Sequence, residues 1–444
     1  MAQLARRTRR IAGLLRSRLP ELGLVRVADP RARRGRRWKH LPALLRAALV
    51  GIMAGCKSIG ETESLTDEMS LPMRRMLRIP RRVPDTTLRQ TLVRLLPDEL
   101  RARLHAQTKT AHRRKALAAV GMPFGQVAVD GRTTKLPDVV AEDAPKGSDV
   151  AWAEHYAQRQ VQPGGSSCRL VRTDTCTLVS ARARPCIDAV PIPAATNEMG
   201  HFETVVRGLV ATYGRSELFK LISADAGNCS EANARLVAVE LDLHYLFRLK
   251  ADQPTLLAEA KRLLGRRRPR QAEAETVDIV GNTTVTRRLY RTADMAGFLD
   301  WGHLQTVIRI RKETHDNETG ELLVREDHYA VSSLPKDALS ALQWLSAFRA
   351  HWGVEVSHHI FDRILDEDDR PWIEADPKGM VVVLLLRRIA YNLLALYRSV
   401  TQRSDELRLT PWKDLLRWVY NTLINAQHAD LDDLRDRKAV ASGI

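Results

Sequence analysis

The sequence has few cysteines, and their spacing excludes the common cysteine-based sites. Only five cysteines occur in 444 residues, and none of them forms a CxxC pair or has the spacing of a zinc ligand set. An odd number of cysteines in a long chain is typical of a protein of the reducing cytoplasm. We therefore expect an intracellular protein with no zinc site built on cysteine.

Long apolar runs are also missing. The most apolar stretch, Met380–Leu386, ends at Arg387 and is far shorter than the roughly 20 residues that cross a bilayer. The arginine-rich N-terminus lacks the apolar segment and the cleavage site of a signal peptide. Internal repeats and long low-complexity segments are absent as well. These absences predict a soluble protein with no membrane partner.

Acidic residues are outnumbered, and the formal net charge is +17 with a pI of about 10.0. Such a surplus is typical of a polyanion binder, and nucleic acid is the commonest partner of this kind. An arginine bias of a GC-rich genome is the alternative, but the basic residues also cluster. Residues 1–39 contain thirteen arginines and lysines against two acids. We interpret this segment as a basic arm that contacts DNA phosphates, with a solvated tail as the alternative.

The basic residues that we single out as DNA-binding candidates fall in three places. They are Arg33, Arg34, Arg36 and Arg37 in the arm, Arg266, Arg267 and Arg268 in the second basic run, and Arg349 and His351 further on.

Hydrophobic patterning divides the chain into four parts. Residues 40–120 have the 3.6-residue period of a small helical domain. Residues 121–402 alternate strands and helices, with a β-rich insertion at about 266–335 before a further helical segment at 336–366. Residues 403–444 predict a C-terminal helical tail. The order β-β-β-α-β-α-β favours an α/β fold, a mixed sheet with helices packed on it.

Three acidic residues stand where a metal-dependent nuclease needs them. Asp130 and Asp225 each end an apolar, strand-like run and are followed by small residues, and Glu355 lies in a helical stretch. An aspartate at a strand end is usually a turn residue, but the three together in a basic chain favour a shared site. Asp174 and Asp188 also fall in strand-like segments, and we interpret them as structural.

Carboxylate oxygens are the ligands that Mg²⁺ prefers. Two ions about 4 Å apart activate the attacking oxygen and stabilise the leaving oxygen in an in-line displacement at phosphate. Rigid strand ends hold such ligands accurately. We therefore predict that Asp130, Asp225 and Glu355 bind two Mg²⁺ ions, with Mn²⁺ as a substitute.

Further polar groups surround Glu355. His351, His358 and His359 recur near it at helical spacing, but they lack the HExxH spacing of a zinc protease. Histidine contacts to phosphate or water are therefore favoured over a zinc site. The acids at 362–369 could assist, although such a run usually marks a helix end that faces solvent.

Several motifs resemble those of insertion-sequence DDE transposases, in the branch that includes H-repeat-associated proteins. The matching segments are Val127–Arg132, Thr196–Met199, Ser223–Ala226, Leu249–Pro254 and Arg349–Glu355, with Glu367-Asp368 downstream. The helical segment from His40 to Arg89 is similar to the N-terminal domain of that branch. The resemblance covers roughly residues 40–400.

The resemblance implies a ribonuclease-H-like fold interrupted by a β-rich insertion before the catalytic helix. It also implies Mg²⁺-dependent cleavage of double-stranded DNA at element ends, transfer of the 3′-OH to target DNA, a dimer on synapsed ends, and a prokaryotic protein at the nucleoid. Asp130, Asp225 and Glu355 match the triad. Phe348, His351 and Asp362 replace the Tyr, Arg and Lys of a related group, and Val356 replaces an expected Asn. An endonuclease without strand transfer and a DNA-binding immobile remnant are the alternatives.

Overall fold

The computed structural model describes residues 2–31, 40–139, 145–163, 165–368 and 371–431. The first part of the chain is helical. Its helices are α1 (Ala2–Arg18), α2 (Leu41–Met53), α3 (Ile59–Glu68), α4 (Leu71–Leu77), α5 (Asp85–Arg94) and α6 (Pro97–Arg113). Local signals start several of them: proline occupies the first turn of α2, α4 and α6, and the Ser58 hydroxyl caps α3 by accepting a bond from the Glu61 N–H.

The predicted basic arm needs correction over its described part. Residues 2–31 are not a solvated tail, because α1 buries Ile11 and Leu15 and packs on α15 (Trp412–Asn425) near the other end of the chain. The apolar residues between the arginines account for this, since they recur at helical spacing and form one buried face. Arg33, Arg34, Arg36 and Arg37 lie outside the described residues.

A single mixed sheet forms the centre of the molecule. Ten strands of the described residues build it: β1 (Gln126–Pro137), β2 (Ala157–Val161), β3 (Ser167–Leu178), β4 (Cys186–Pro191), β5 (Leu221–Ala224), β6 (His244–Leu249), β7 (Ala274–Val280), β8 (Thr283–Thr292), β9 (Thr306–Asp316) and β10 (Leu322–Ser332). The order is β2-β3-β1-β5-β6-β10-β9-β8-β7, with β4 paired to β3. Only β1–β5 and β5–β6 are parallel pairs. This arrangement confirms the predicted α/β class and fits a ribonuclease-H-like fold.

The strands of the β-rich insertion extend the central sheet. β10 pairs antiparallel with β6, and β9, β8 and β7 follow outward. Within this insertion, β7 and β8 form a hairpin whose turn contains Gly281 at φ 58°. Two elements, α7 (Val150–Tyr156) and β2, were missed in the sequence.

Helices cover both faces of the sheet. On one face lie α8 (Glu198–Tyr213), α9 (Glu231–Arg235) and α10 (Pro254–Leu264). On the other lie α11 (Ala341–His351), α12 (Gly353–Arg363) and α13 (Pro377–Leu396), and α14 (Asp405–Arg408) precedes α15. The expected single helix at 336–366 is therefore two helices, which break at Trp352.

Helix α13 is the centre of the core between the sheet and the N-terminal helices. With the turn that follows it, Pro377–Thr401 is long and apolar enough to cross a membrane, but 94% of its most apolar window is buried within the protein. Its neighbours include α2, α5 and α6. The apolar length of α13 thus serves packing, and its two arginines, Arg387 and Arg388, are buried as well.

Candidate active site

Sheet register places Asp130 and Asp225 side by side. The last parallel pair between β1 and β5 joins Val129 to Ala224. Asp130 is the next residue of β1, and Asp225 directly follows the end of β5. β1 itself continues to Pro137 because it stays paired with β3. The expectation that Asp130 ends a strand is therefore wrong, but Asp130 does end the parallel pairing. Neighbouring parallel strands thus deliver both carboxylates to one edge.

Helix α12 brings Glu355 to the same edge. Val354 packs on Ala128 of β1, and Asp130 lies two residues beyond Ala128, on the same face of the strand. Behind it, the Gln126 side-chain amide donates to the Ser223 hydroxyl and to the Ala347 carbonyl, both at 2.9 Å. These bonds connect β1, β5 and α11, so the helix that precedes Glu355 is held against the strands that carry the aspartates.

A fourth carboxylate, that of Glu198, reaches the cluster from the opposite face of the sheet. Glu198 is the first residue of α8, whose cap is the Asn197 side chain, which accepts a bond from the Gly200 N–H at 2.9 Å. The Glu198 carboxylate lies so close to Gly131 that a Cβ there would overlap it. Glycine after Asp130 is therefore what lets this fourth acid approach.

The four carboxylates disfavour one another's ionised form. Burial raises the pKa of Asp130 to about 7, and the negative charges of Asp225, Glu198 and Glu355 add to the shift. Burial also raises the pKa of Glu355 and of Glu198. Among the described residues, no arginine or lysine forms an ion pair with any of these four acids. The positive charges of Arg248 and Arg172 partly offset the raised pKa values of Glu355 and Glu198, so the negative charge of the cluster is only partly compensated.

His358 is the side chain that contacts Asp130. Its Nδ1 lies 3.4 Å from Asp130 Oδ2. Burial lowers the pKa of His358 to about 3, assisted by the positive charges of Arg388 and Arg132. The imidazole is thus neutral at physiological pH, so it orients Asp130 without neutralising its charge.

A buried ion-pair network lies directly behind Asp130. Arg132, two residues along β1, contacts Asp362, Glu367 and Asp368. Glu367 is 1% exposed and accepts two bonds from Arg388 of α13, at 2.6 and 2.9 Å. The expectation that the acids at 362–369 face solvent is therefore wrong for Glu367, because its carboxylate has two buried arginine partners.

The donor set suits a hard divalent cation, although the side chains are not yet gathered as ligands. Four carboxylates supply oxygen donors and excess negative charge. No three His, Cys, Asp or Glu side chains within the described ranges form a preassembled metal-binding group. Small changes of side-chain rotamer would therefore accompany cation binding.

The basic candidates do not gather at one place. Arg349 is partly exposed and pairs with Asp278 at 2.9 Å. His351 is buried, and its Nδ1 lies 3.3 Å from the Ser223 hydroxyl, so the prediction that it contacts DNA is wrong. Arg266, Arg267 and Arg268 lie in the turn after α10, and Arg267 bonds to the Arg291 carbonyl.

Glu198 and Arg132 received no role from the sequence. The motif Thr196–Met199 offered a signal for Glu198, because an acid follows a helix-capping asparagine there. Nothing local marks Arg132, since its partners come from distant segments. His358 was singled out by its helical spacing from Glu355, but its contact with Asp130 was not foreseen.

Residues 125–393 match the model of a family described as transposase DDE domain. The match spans more than half of the 444 residues and contains all four carboxylates of the cluster. No curated protein matches the chain.

Proposed function

The chain belongs to the DDE transposase family, and on that premise we propose that it cleaves DNA at insertion-sequence ends and transfers the 3′-OH to target DNA. The observation that carries the proposal is the register of β1 and β5, which brings Asp130 and Asp225 together at the edge where α12 presents Glu355. The net charge of +17 supports a DNA substrate.

Asp130, Asp225 and Glu355 would bind two Mg²⁺ ions, which Mn²⁺ could replace. When bound, the ions activate the attacking oxygen and stabilise the leaving oxygen of an in-line displacement. The negative charge of the cluster supports this assignment, because a cation would remove the repulsion that raises the pKa of Asp130.

The chain's own side chains hold the ligands and leave room for the substrate. His358 orients the Asp130 carboxylate, and Gln126 and Ser223 fix α11 behind the cluster. Gly227 follows Asp225 and is exposed, so a phosphate backbone can approach there without meeting a side chain.

The finer assignments rest on the sequence motifs. We place the protein in the H-repeat-associated branch, with the α1–α6 region as a DNA-contacting unit and double-stranded element ends and target DNA as substrates. A dimer is expected on synapsed ends, because two ends must be joined at one target. Action on the nucleoid of a prokaryotic cell follows from these assignments.

The decisive experiment uses the full-length protein, Mg²⁺ and labelled DNA that carries the inverted repeats flanking the gene. Asp130→Asn, Asp225→Asn and Glu355→Gln should each reduce strand cleavage by at least about 10³-fold, as loss of one member of a catalytic unit does. DNA binding should be retained. Asp405→Asn, at a carboxylate of α14 that is 87% exposed, is the matched control and should cleave normally.

Full activity in any of the three amide variants would contradict the site. The joined products separate the alternatives: cleavage without joining identifies an endonuclease, and binding of the ends without cleavage identifies an immobile remnant.

A further inference from the structure

Glu198 approaches Asp130 from the α8 face of the sheet. An added Cβ at Gly131 would overlap the Glu198 carboxylate, and Gly131 is directed to the opposite face from its neighbour Asp130. β5 ends at Ala224, level with Val129 of β1, so within the described residues no strand pairs with β1 beyond Val129 on that side. Carboxylates from the two faces of the sheet therefore meet around Asp130 at this edge.

The charge of Glu198 acts directly on the two aspartates. Burial is the largest cause of the raised pKa of Asp130, and among the neighbouring charges that of Glu198 ranks after Asp225 and before Glu355. Burial also raises the pKa of Glu198, and the charges of Asp174 and Asp225 add to that shift. Glu198 and Glu355 thus flank the aspartates from opposite faces of the sheet.

The backbone around Glu198 is fixed without the use of its carboxylate. Arg172 of β3 donates to two carbonyls of the segment that precedes α8, at 3.2 and 2.6 Å. His201, in the first turn of α8, is buried with its Nδ1 2.7 Å from Oδ2 of Asp174. In the described part of the chain, the Glu198 carboxylate accepts no hydrogen bond and forms no ion pair. The side chain is therefore positioned but unused, whereas the neighbouring carboxylate of Asp174 is used by His201.

A second polar group beside Asp130 also lacks a partner. Thr175 lies opposite Asp130 in the register of β1 and β3, so both side chains are on one face of the sheet. Thr175 is fully buried, and its hydroxyl has no hydrogen-bond partner among the described residues. Buried polar groups are normally paired with protein or with ordered water. An unpaired hydroxyl here points to a polar species, such as a hydrated cation, bound next to Asp130.

We propose that Glu198 is a fourth carboxylate ligand of the two divalent ions: it binds the ion on the α8 side of the aspartates, whereas Glu355 binds the ion on the α12 side. Asp130 and Asp225 lie between the two positions and are shared. Four carboxylates also match the charge of two divalent ions, whereas three leave one positive charge over. The inference rests on the proposed function and deepens it, because it gives each ion a glutamate of its own.

The test measures Mn²⁺ binding to the full-length protein by the electron paramagnetic resonance signal of free Mn²⁺, which reports the number of bound ions and their affinities. The wild type should bind two ions. Glu198→Gln should weaken one of them by at least about tenfold, because even the loss of a group that only orients a ligand costs about 10–100-fold in affinity. Glu355→Gln should weaken the other ion. The double variant should therefore bind neither ion tightly, and retention of one tight ion would overturn the division between the two sides.

The chain offers a matched control on the same helix. Glu203 lies in α8 with a side chain that is 59% exposed, so Glu203→Gln makes the same change away from the cluster and should bind Mn²⁺ as the wild type does. Thermal melts in EDTA separate a structural role from a ligand role. Glu198→Gln should be at least as stable as the wild type there, because the carboxylate has no partner to lose. Glu198→Asp retains a carboxylate and should recover part of the affinity.

Unchanged Mn²⁺ binding in Glu198→Gln, or an equal loss in Glu203→Gln, would overturn the inference. The outcomes for the two proposals are separable. Ion binding that depends on Glu198 without cleavage of element ends contradicts the transposase proposal alone. Cleavage and ion binding that are lost in Asp130→Asn and Asp225→Asn, but retained in Glu198→Gln, contradict the fourth ligand alone.

Discussion

Buried carboxylates occur in two settings in this molecule, and the settings differ in their counter-charges. Asp188 and Glu367 are each 1% exposed. Asp188 accepts bonds from Arg101 at 3.0 and 2.8 Å, and Glu367 accepts two from Arg388. Burial alone would raise the pKa of both acids. The contacts of His105 and Arg101 with Asp188, and of Arg388 and Arg132 with Glu367, outweigh it and lower each pKa to about 2.

Asp130 lies in the opposite setting. It is partly buried among three other acids, and its side chain is 25% exposed. Burial, the negative charges of these acids and the lack of a cationic partner raise its pKa to about 7. Arg132 lies only two residues away, yet it is directed to Asp362, Glu367 and Asp368. The comparison teaches that arginine is available beside the cluster but is used to stabilise the fold. Partly compensated charge of this kind is typical of functional sites.

The largest effect on stability should come from removing a buried carboxylate that has an arginine partner. Glu367→Gln leaves Arg388 buried without its counter-charge, so the free energy of unfolding should fall by about 3–5 kcal/mol. Urea denaturation at neutral pH measures it. Glu203→Gln removes a carboxylate from the exposed Glu203–Arg207 pair and should leave stability unchanged. If both variants behave alike, the buried network does not stabilise the fold.

Removing the carboxylate of Asp130, which has no cationic partner, should have the opposite effect on stability. Because the pKa of Asp130 is raised from 3.8 to about 7, the folded state binds its proton more tightly than the unfolded state. The stability contributed by this proton is complete below about pH 4 and is lost as pH rises through 7. The Asp130→Asn variant has no carboxyl group at this position, so it does not lose stability in this way as the pH rises. In EDTA above about pH 8 the variant should be more stable than the wild type, by about 1–4 kcal/mol.

The difference between the two proteins should vanish near about pH 4. His351 and His358, whose pKa values burial lowers to about 4 and about 3, also titrate between folded and unfolded states, but they are present in both proteins. Urea titrations across the pH range therefore report Asp130 through the difference. A constant difference at all pH values would show that neither burial nor the neighbouring acids raise the pKa of Asp130 in the folded protein.

Two acids of the cluster, Asp130 and Asp225, were predictable because their signals are local, whereas Glu198 was missed. Asp130 and Asp225 each follow an apolar run, and the run fixes which face of the strand the next residue takes. Their counter-charges were not predictable in this way. Glu367 is held by Arg388, 21 residues further along the chain, and nothing in the acidic run itself indicates that one of its members is buried.

The same distinction holds for the fold. Strand and helix periodicity revealed the sheet, the insertion and the helical N-terminal region. The extension of β1 to Pro137 depends on its pairing with β3, and the packing of α1 depends on α15 at the other end of the chain. Contacts of this kind depend on tertiary structure. Composition alone therefore predicted a basic arm where the chain forms a folded helix.

The smallest effect should come from the glycine that permits the crowding of acids. Gly131→Ala introduces a Cβ that overlaps the Glu198 carboxylate. Stability should fall by about 1 kcal/mol, the lower end of overpacking costs, because the overlapped atoms end a flexible side chain that can shift. Gly208→Ala is the matched control, because Gly208 lies in α8 with no atom within 4 Å of the added Cβ. It should be neutral or stabilise the protein by up to about 1 kcal/mol, since alanine favours the helix.

A double-mutant cycle decides whether Gly131 serves Glu198 or only the path of β1. Glu198→Ala removes the overlapped carboxylate, so it should recover most of the stability lost in Gly131→Ala, with a coupling of about 0.5–3 kcal/mol between the two changes. Additive losses would show that the glycine is needed by the strand alone. In that case the carboxylate of Glu198 approaches Asp130 incidentally. The cluster of acids without a cationic partner then consists of Asp130, Asp225 and Glu355.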